Sequence, residues 1–201
     1  MTVENLHHIV IVGGGAGGLE LATRLGDSLG KKKKAAITLI DSSRTHVWKP
    51  LLHEIAAGSM NPEKHELNYL AQAHWHHFKF RLGRMNGLNR EKKEVLLAPY
   101  HDEDGFEVIS ARSIPYDSLV IAVGSTTNDF GVKGALEHSI ALDTQNQAER
   151  FHRKLHNSLV RAQTQTTPIE EGQLNVAIVG AGATGVELAA ELHNTTRELA
   201  A

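Results

Sequence analysis

Ile9-Val10-Ile11-Val12, Gly13-Gly14-Gly15-Ala16-Gly17-Gly18 and Leu19-Glu20-Leu21-Ala22-Thr23-Arg24-Leu25 follow one another without a break. The first run is short, apolar and β-branched. The second is a glycine turn, and the third carries Leu21 and Leu25 at helical spacing. The segment therefore predicts a strand, a tight turn and a helix. Gly13, Gly15 and Gly18 fit the pattern G-x-G-x-x-G. In that pattern the first glycine lets the chain turn sharply, the second lets a pyrophosphate approach the backbone, and the third lets the helix pack against the strand. The helix start then offers unpaired N–H groups and the positive end of its dipole to the phosphates. A glycine-rich turn without a ligand is the alternative for any single match.

Working outward, Gly30 can cap the first helix, and Lys31, Lys32, Lys33 and Lys34 form a solvated connection. Residues 36–40 read as a second buried strand ending at Asp41, about 20 residues beyond the turn, where a carboxylate can accept hydrogen bonds from a ribose. The stretch 42–68 is less regular, with helical fragments expected over 51–57 and 62–75. Strands are expected over 78–82 and 94–97, with a turn near 86–90, and again over 106–109 after a turn at 101–105. The apolar strand 119–123 stops at Gly124 and Ser125. A linker runs to about Leu142, then a helix over 144–163, where Phe151, Leu155 and Leu159 recur every fourth residue. After a polar loop the opening pattern returns: a strand over 176–179, a glycine turn with Gly180, Gly182 and Gly185, and a helix over 186–201. The two turns lie much further apart than the period of about 20–50 residues that marks a solenoid. They predict two nucleotide sites, and two adjacent dinucleotides imply electron transfer between them.

Composition narrows the partners. The chain has 201 residues, 21 basic and 23 acidic, for a formal charge of −2. That balance gives no concentrated basic face for nucleic acid. Hydrophobic residues make up 41 %, as in a globular protein rather than a disordered one. There is no cysteine, which excludes disulfides, thiolate metal sites and a catalytic thiol from this stretch. His74, His76 and His77 are close in sequence but lack an accompanying carboxylate or an H-E-x-x-H arrangement, so no metal site is expected. His46 and His53 stand either as functional groups or as hydrogen-bonded structural histidines. No basic segment precedes a long apolar core, and no apolar run approaches about 18 residues, so the chain reads as soluble and cytoplasmic.

With these residues in view, the sequence resembles the flavoproteins that bind two dinucleotides. In them the first glycine fingerprint holds FAD and the second holds NAD(P)H. Residues 116–125, from Tyr116-Asp117 through Gly124-Ser125, resemble the second FAD motif of that superfamily. Within it the chain is most similar to the type II NADH dehydrogenases, the single-subunit NADH:quinone oxidoreductases. The selective stretches are DSSRTHVWKPLLHEIAAG from Asp41 and VGAGATGVELAAEL from Val179. The missing cysteines agree with this branch, since the disulfide reductases and sulfide:quinone reductases of the superfamily depend on thiols.

The resemblance implies an α/β fold: a Rossmann-like three-layer FAD-binding domain with a parallel sheet and a small antiparallel sheet over 1–128, then a linker and the beginning of a Rossmann-like NAD(P)H-binding domain over 129–201. It implies that Gly13, Gly15, Ala16, Gly17 and Gly18 surround the FAD pyrophosphate, and that Asp41, with Ser42, meets the adenosine ribose. Lys49 and Pro50 are expected near the flavin ring, Met85 near the adenine or in the core, and Gly124 and Ser125 along the flavin cavity. Gly180, Gly182, Ala183, Thr184 and Gly185 would face the NAD pyrophosphate. Glu187 and Lys49 are the expected catalytic groups. Ordinary alternatives stay open for both, a first-turn acid favoured by the helix dipole and a surface lysine. The implied activity carries electrons from NADH through FAD to a quinone, at the cytoplasmic face of the inner membrane. Other NAD(P)H-dependent flavin reductases, such as those serving a ferredoxin, and a non-catalytic nucleotide-binding module remain as alternatives. The chain is expected to be the N-terminal portion of a protein about twice as long, since a doubly wound domain needs several parallel strands. Peripheral membrane contact would then fall in a region outside this chain, and a homodimer is left open.

Overall fold

A computed structural model describes residues 6–199. In chain order the elements are β1 (His7–Val12), α1 (Ala16–Leu25), β2 (Ala35–Asp41), β3 (Thr45–His46), α2 (Leu52–Ala57), β4 (Leu67–Asn68), α3 (Tyr69–Trp75) and β5 (Lys79–Leu82). They continue with β6 (Met85–Asn89), β7 (Glu94–Leu97), β8 (Tyr100–His101), β9 (Glu107–Ile109), β10 (Arg112–Pro115), β11 (Ser118–Ile121), α4 (Ala135–His138), α5 (Gln145–Thr164) and α6 (Ala183–Leu199). The chain divides into two compact units, one from residues 1–46 and 66–125, the other from 47–65 and 126–201.

The first unit is built on a four-stranded sheet of order β11-β1-β2-β5, parallel throughout. From Ile9 to Val12, β1 is apolar on both faces, and both are covered. Ile11, with Ile37 and Leu39 of β2, packs under Leu19 and Ala22 of α1 and Tyr69 and Ala73 of α3. Val10, Val12 and Ile40 face the other way, onto Val95 and Leu97 of β7. That strand is the middle of the antiparallel sheet β10-β7-β6. The unit is thus three layers: helices, parallel sheet, antiparallel sheet. Each fully buried Ile, Leu or Val contributes about 1.5–3 kcal/mol of transfer free energy. The α/β architecture agrees with the sequence-based expectation.

Three local expectations fail here. Residues 86–89 belong to β6 rather than a turn, and the reversal follows at 90–93, where Asn89 accepts the Lys92 amide and Lys93 has φ 52°. The expected helix over 62–75 is broken. Asn61 caps a single 3-10 turn, Pro62–Lys64, and Asn68 caps α3 through the Leu70 and Ala71 amides. Two Asn caps and the β3–β4 pairing compete with one long helix. His7 and His8, which by their place ahead of an apolar strand are expected to face solvent, divide: His8 faces inward to Thr38, at 2.8 Å, and only His7 is exposed.

Helices dominate the second unit. Leu52, Ile55, Ala56 and Ala57 of α2, with Met60, pack with Ala148 of α5 and Leu188 and Leu192 of α6. Helix α5 begins with a capping box between Thr144 and Gln147, and Phe151 and Leu155 pack on the same core. Residues 176–179, expected as a strand, form none. Val179 is 97 % exposed. A strand is defined by its ladder, and among the described residues none pairs with this segment. Helix α6 starts at Ala183, three residues earlier than expected, and positions 200 and 201 of the expected helix lie outside the described residues. Among the described residues no helix is long and apolar enough to cross a membrane.

Candidate functional site

The sheet order sets the first site. From β1 the chain's neighbours run in opposite directions, to β2 and β5 on one side and β11 on the other. In an open parallel sheet, ligands collect at the carboxyl ends of the strands where the order reverses. Gly13 follows β1 at that point, with φ +102°. A side chain at Gly13 would run into the Ala122 carbonyl, and one at Gly18 into the Gly13 carbonyl. Gly15 and Gly17 have nothing within 4 Å of where a Cβ would stand. Gly13 and Gly18 are therefore required by packing, Gly14 is closed off in the same way by the buried Tyr69 ring, and Gly15 and Gly17 leave the backbone open. Gly15 is the N-cap of α1, and Leu19 donates the first helical bond back to it. The amides of Ala16, Gly17 and Gly18 thus precede the helical ladder and suit an anion.

The second turn repeats this geometry. Gly180 has φ +111°, Gly182 has open space at its Cβ position, and a side chain at Gly185 would meet the Gly180 carbonyl. Val186 donates to Gly182 as Leu19 does to Gly15. Ala183 and Thr184 are exposed in the first turn of α6.

Asp41, at the end of β2, holds the first loop in place. Its Oδ2 accepts the Gly14 amide at 2.6 Å and its Oδ1 accepts the Ser43 amide at 2.8 Å. Ser42 is exposed. Beneath the loop the Tyr69 hydroxyl donates to the Gly14 carbonyl at 2.7 Å, and its ring stacks on Phe80 at 5.0 Å. Burial, with the Asp41 charge adding to it, pushes the Tyr69 hydroxyl well above its ordinary range. Met85 opens β6 with its side chain packed against the core cluster of Val10, Val12 and Ile40. Gly124 has φ +72° and open space about it, and Ser125 is exposed.

His46 sits near this loop, 6.3 Å from Tyr69 between ring centroids, with a buried Nε2 that has no hydrogen-bond partner. Burial lowers its pKa, and the nearby Asp41 carboxylate offsets part of that effect. A base with a depressed folded pKa binds fewer protons folded than unfolded, so stability falls as pH drops below about 6.5. His8, also lowered by burial, adds in the same direction. We expect the melting temperature to fall between pH 7.5 and 5.5. The slope per histidine cannot exceed about 1.4 kcal/mol per pH unit, and it becomes shallower in His46→Gln. An unchanged slope in that variant would remove His46 from the account.

In the second unit, Lys49 and Pro50 lie in an exposed 3-10 turn, Lys49–Leu51. The Lys49 ammonium donates to Asp143 at 2.8 Å, and Asp143 also accepts the Thr127 amide at 2.8 Å. Burial would raise the Asp143 carboxyl, but the bonds from Lys49 and Thr127 outweigh it and hold it below the usual range. Glu187 is half exposed on α6, its Oε2 3.5 Å from the Nδ1 of His53, which is largely buried on α2. Sequence reasoning did not single out Asp143 or Tyr69. A lone Asp after a linker and a Tyr opening a short helix carry no pattern that marks them. His74, His76 and His77 join no cluster of three or more metal-ligating side chains among the described residues.

Two glycine turns of one geometry, the first at the switch point of a parallel sheet, define a Rossmann-like fold. The comparisons with known proteins agree. Residues 7–200 match the pyridine nucleotide-disulphide oxidoreductase family, and the chain belongs to it. It is 46 % identical to a type II NADH:quinone oxidoreductase of Haemophilus influenzae, over 96 % of this chain and 46 % of that one. It is 28 % identical to one of Mycobacterium tuberculosis, over 94 % and 38 %. The NDH2 of Plasmodium falciparum in complex with NADH superposes with TM-score 0.80 at 23 % identity, covering 96 % of this chain and 38 % of that one. The chain spans about half the length, or less, of these curated relatives. Despite the family's description, these 201 residues hold no cysteine and so no disulphide pair.

Proposed function

We propose that this chain is the flavin-holding part, with the start of the nicotinamide-holding part, of an enzyme that oxidises NADH and reduces a quinone. The observation that carries this reading is the repeated glycine-turn geometry in one thiol-free chain. The names of its relatives support it. Residues 1–128 are the FAD-binding part, and 129–201 the linker and the beginning of the NAD(P)H-binding part.

Bound flavin supplies a centre that takes a hydride and passes electrons onward, which needs no thiol. The chain's own residues do the rest. Gly15 and Gly17 leave room for a pyrophosphate, and the first-turn amides of α1 hydrogen-bond it. Tyr69 and Asp41 fix the loop so that these amides are held in position before a ligand arrives. Asp41, with Ser42 beside it, has lone pairs left for a ribose hydroxyl, and Met85, Gly124 and Ser125 complete the flavin's surroundings. Gly180, Gly182, Ala183, Thr184 and Gly185 receive the NADH pyrophosphate. Glu187 is the group that moves a proton at the acceptor. Lys49, steadied by Asp143, supplies positive charge. The acceptor lies in the membrane, which the protein meets peripherally at the cytoplasmic face of the inner membrane as a homodimer.

The native protein's visible spectrum tests this. A flavin spectrum that bleaches with NADH and returns with a short-chain quinone is expected. A flavin that binds but never bleaches with NADH would leave only a binding module. A bleached flavin reoxidised by a small iron–sulfur protein and not by quinone would replace the acceptor.

A further inference from the structure

In the second unit, His53 combines a buried, unpartnered ring nitrogen with two facing carboxylates. Its side chain is 11 % exposed, yet its buried Nδ1 has no hydrogen-bond partner. Buried imidazole nitrogens are nearly always paired, so an orphan calls for a reason. The groups facing it are carboxylates. Glu187 Oε2, on α6, is 3.5 Å from Nδ1, and Glu54 Oε1, on its own helix α2, is 4.0 Å from Nε2. On α5, the other helix packed on α2, His152 lies with its ring against Gly58 at the far end of α2. Lys49, ahead of α2, is engaged with Asp143.

We propose that His53 is the positioning residue that reprotonates Glu187, forming a line Glu54–His53–Glu187 in which the buried imidazole bridges two partly exposed carboxylates. The idea rests on the function proposed above, since it concerns that reaction's proton. The balance requires one. NADH gives a hydride, two electrons with one proton, while the quinone gains two electrons and two protons. The second proton comes from water. His53 can take it at Nε2, on the Glu54 side, and release the proton on Nδ1 to Glu187 Oε2, leaving a neutral imidazole of the other tautomer. Rotation of the ring brings the bare Nδ1 to water, where it gains a proton as Nε2 gives one up, and the return rotation restores the start. Both separations exceed hydrogen-bond length, so side-chain movement of under about 1 Å must close them before transfer. The neighbouring α2–α6 core, with Leu52, Ile55 and Leu188 buried, keeps the backbone around the ring in place while the half-exposed glutamates move.

The test uses the native, flavin-loaded protein with His53→Gln, His53→Ala and Glu54→Gln. In His53→Gln, quinol formation should fall about 10–100-fold, the low end of general acid–base effects because water can substitute in part. The pH dependence of kcat should flatten. NADH bleaching of the flavin, flavin content and melting temperature should hold near the wild type. Added imidazole should restore part of the rate in His53→Ala, and Glu54→Gln should show a smaller loss of the same kind. Wild-type kcat and pH profile in His53→Gln would overturn the proposal, as would equal losses in flavin bleaching and quinol formation. The His53 imidazole ¹⁵N spectrum tests the contact without turnover. An Nδ1–H signal lost in Glu187→Leu is expected, and an unchanged one overturns it. A wild-type protein that reduces no quinone would defeat the function, while the ¹⁵N result still reports on the His53–Glu187 pair.

Discussion

Gly13→Ala is expected to remove both the flavin and much of the stability of the first unit. Gly13 has φ +102°, where an L side chain is strained by about 1–3 kcal/mol. Its new methyl would also press on the Ala122 carbonyl and the Val123 amide. Both are backbone, and β11 next to them is paired to β1 through four residues, so neither can swing aside. Overpacking of that sort costs about 1–3 kcal/mol more. Together these approach the low end of a domain's whole stability, about 5–15 kcal/mol. Gly15→Ala is the control. Its Cβ position is open, so the melting temperature should hold while flavin affinity drops, because the methyl would enter the space proposed above for a phosphate. Differential scanning calorimetry and the flavin absorbance of the purified variants check both. Equal melting temperatures for Gly13→Ala and wild type would refute the packing account. Full flavin retention in Gly15→Ala would refute the assignment of that space.

Tyr69→Ala should be the most damaging side-chain truncation in the first unit. Tyr69 is 2 % exposed, stacks on Phe80, lies in the cluster under α1 and holds the Gly14 carbonyl. Truncation of a buried aromatic costs about 3–5 kcal/mol. Tyr69→Phe keeps the packing and loses the hydroxyl, leaving the Gly14 carbonyl without that donor, for about 1–3 kcal/mol. Chemical denaturation of the two variants separates the ring from the hydroxyl. If Tyr69→Phe loses flavin as readily as Tyr69→Ala, the hydroxyl and not the ring shapes the loop. If Tyr69→Ala melts like wild type, the ring does not support this core.

The parts of the fold that read directly from the sequence are those in which local pattern and tertiary role coincide. The run Ile9 to Val12 is β-branched and packs on both faces, and Gly13 and Gly18 after it are dictated by contacts only a hydrogen could tolerate. Phe151 and Leu155, which announce α5 by their four-residue spacing, are the residues that pack on its core. Asp41 was legible by its position, though its bonds to Gly14 and Ser43 were not. Residues 176–179 look like β1 in composition, yet strand structure belongs to a pair of segments, and periodicity cannot supply the partner. Likewise α2 belongs with α5 and α6 because its Leu52 and Ile55 are covered by residues about a hundred positions away. Asp143 was invisible for the same reason, its role being set by Lys49 and Thr127.

The two bonds of Asp41 make the first loop a thermodynamically linked site. One carboxylate oxygen is tied to the Gly14 amide, within the turn that would receive phosphates, and the other to Ser43, beyond the strand that would receive a ribose. A ligand drawing on this carboxylate at one end changes the free energy of the backbone at the other. In the binding mode proposed above, the adenosine and pyrophosphate halves of a dinucleotide would bind with a coupling term, and by reciprocity each half would strengthen or weaken the other by the same factor. Affinities measured for the separate halves will not multiply to that of the whole.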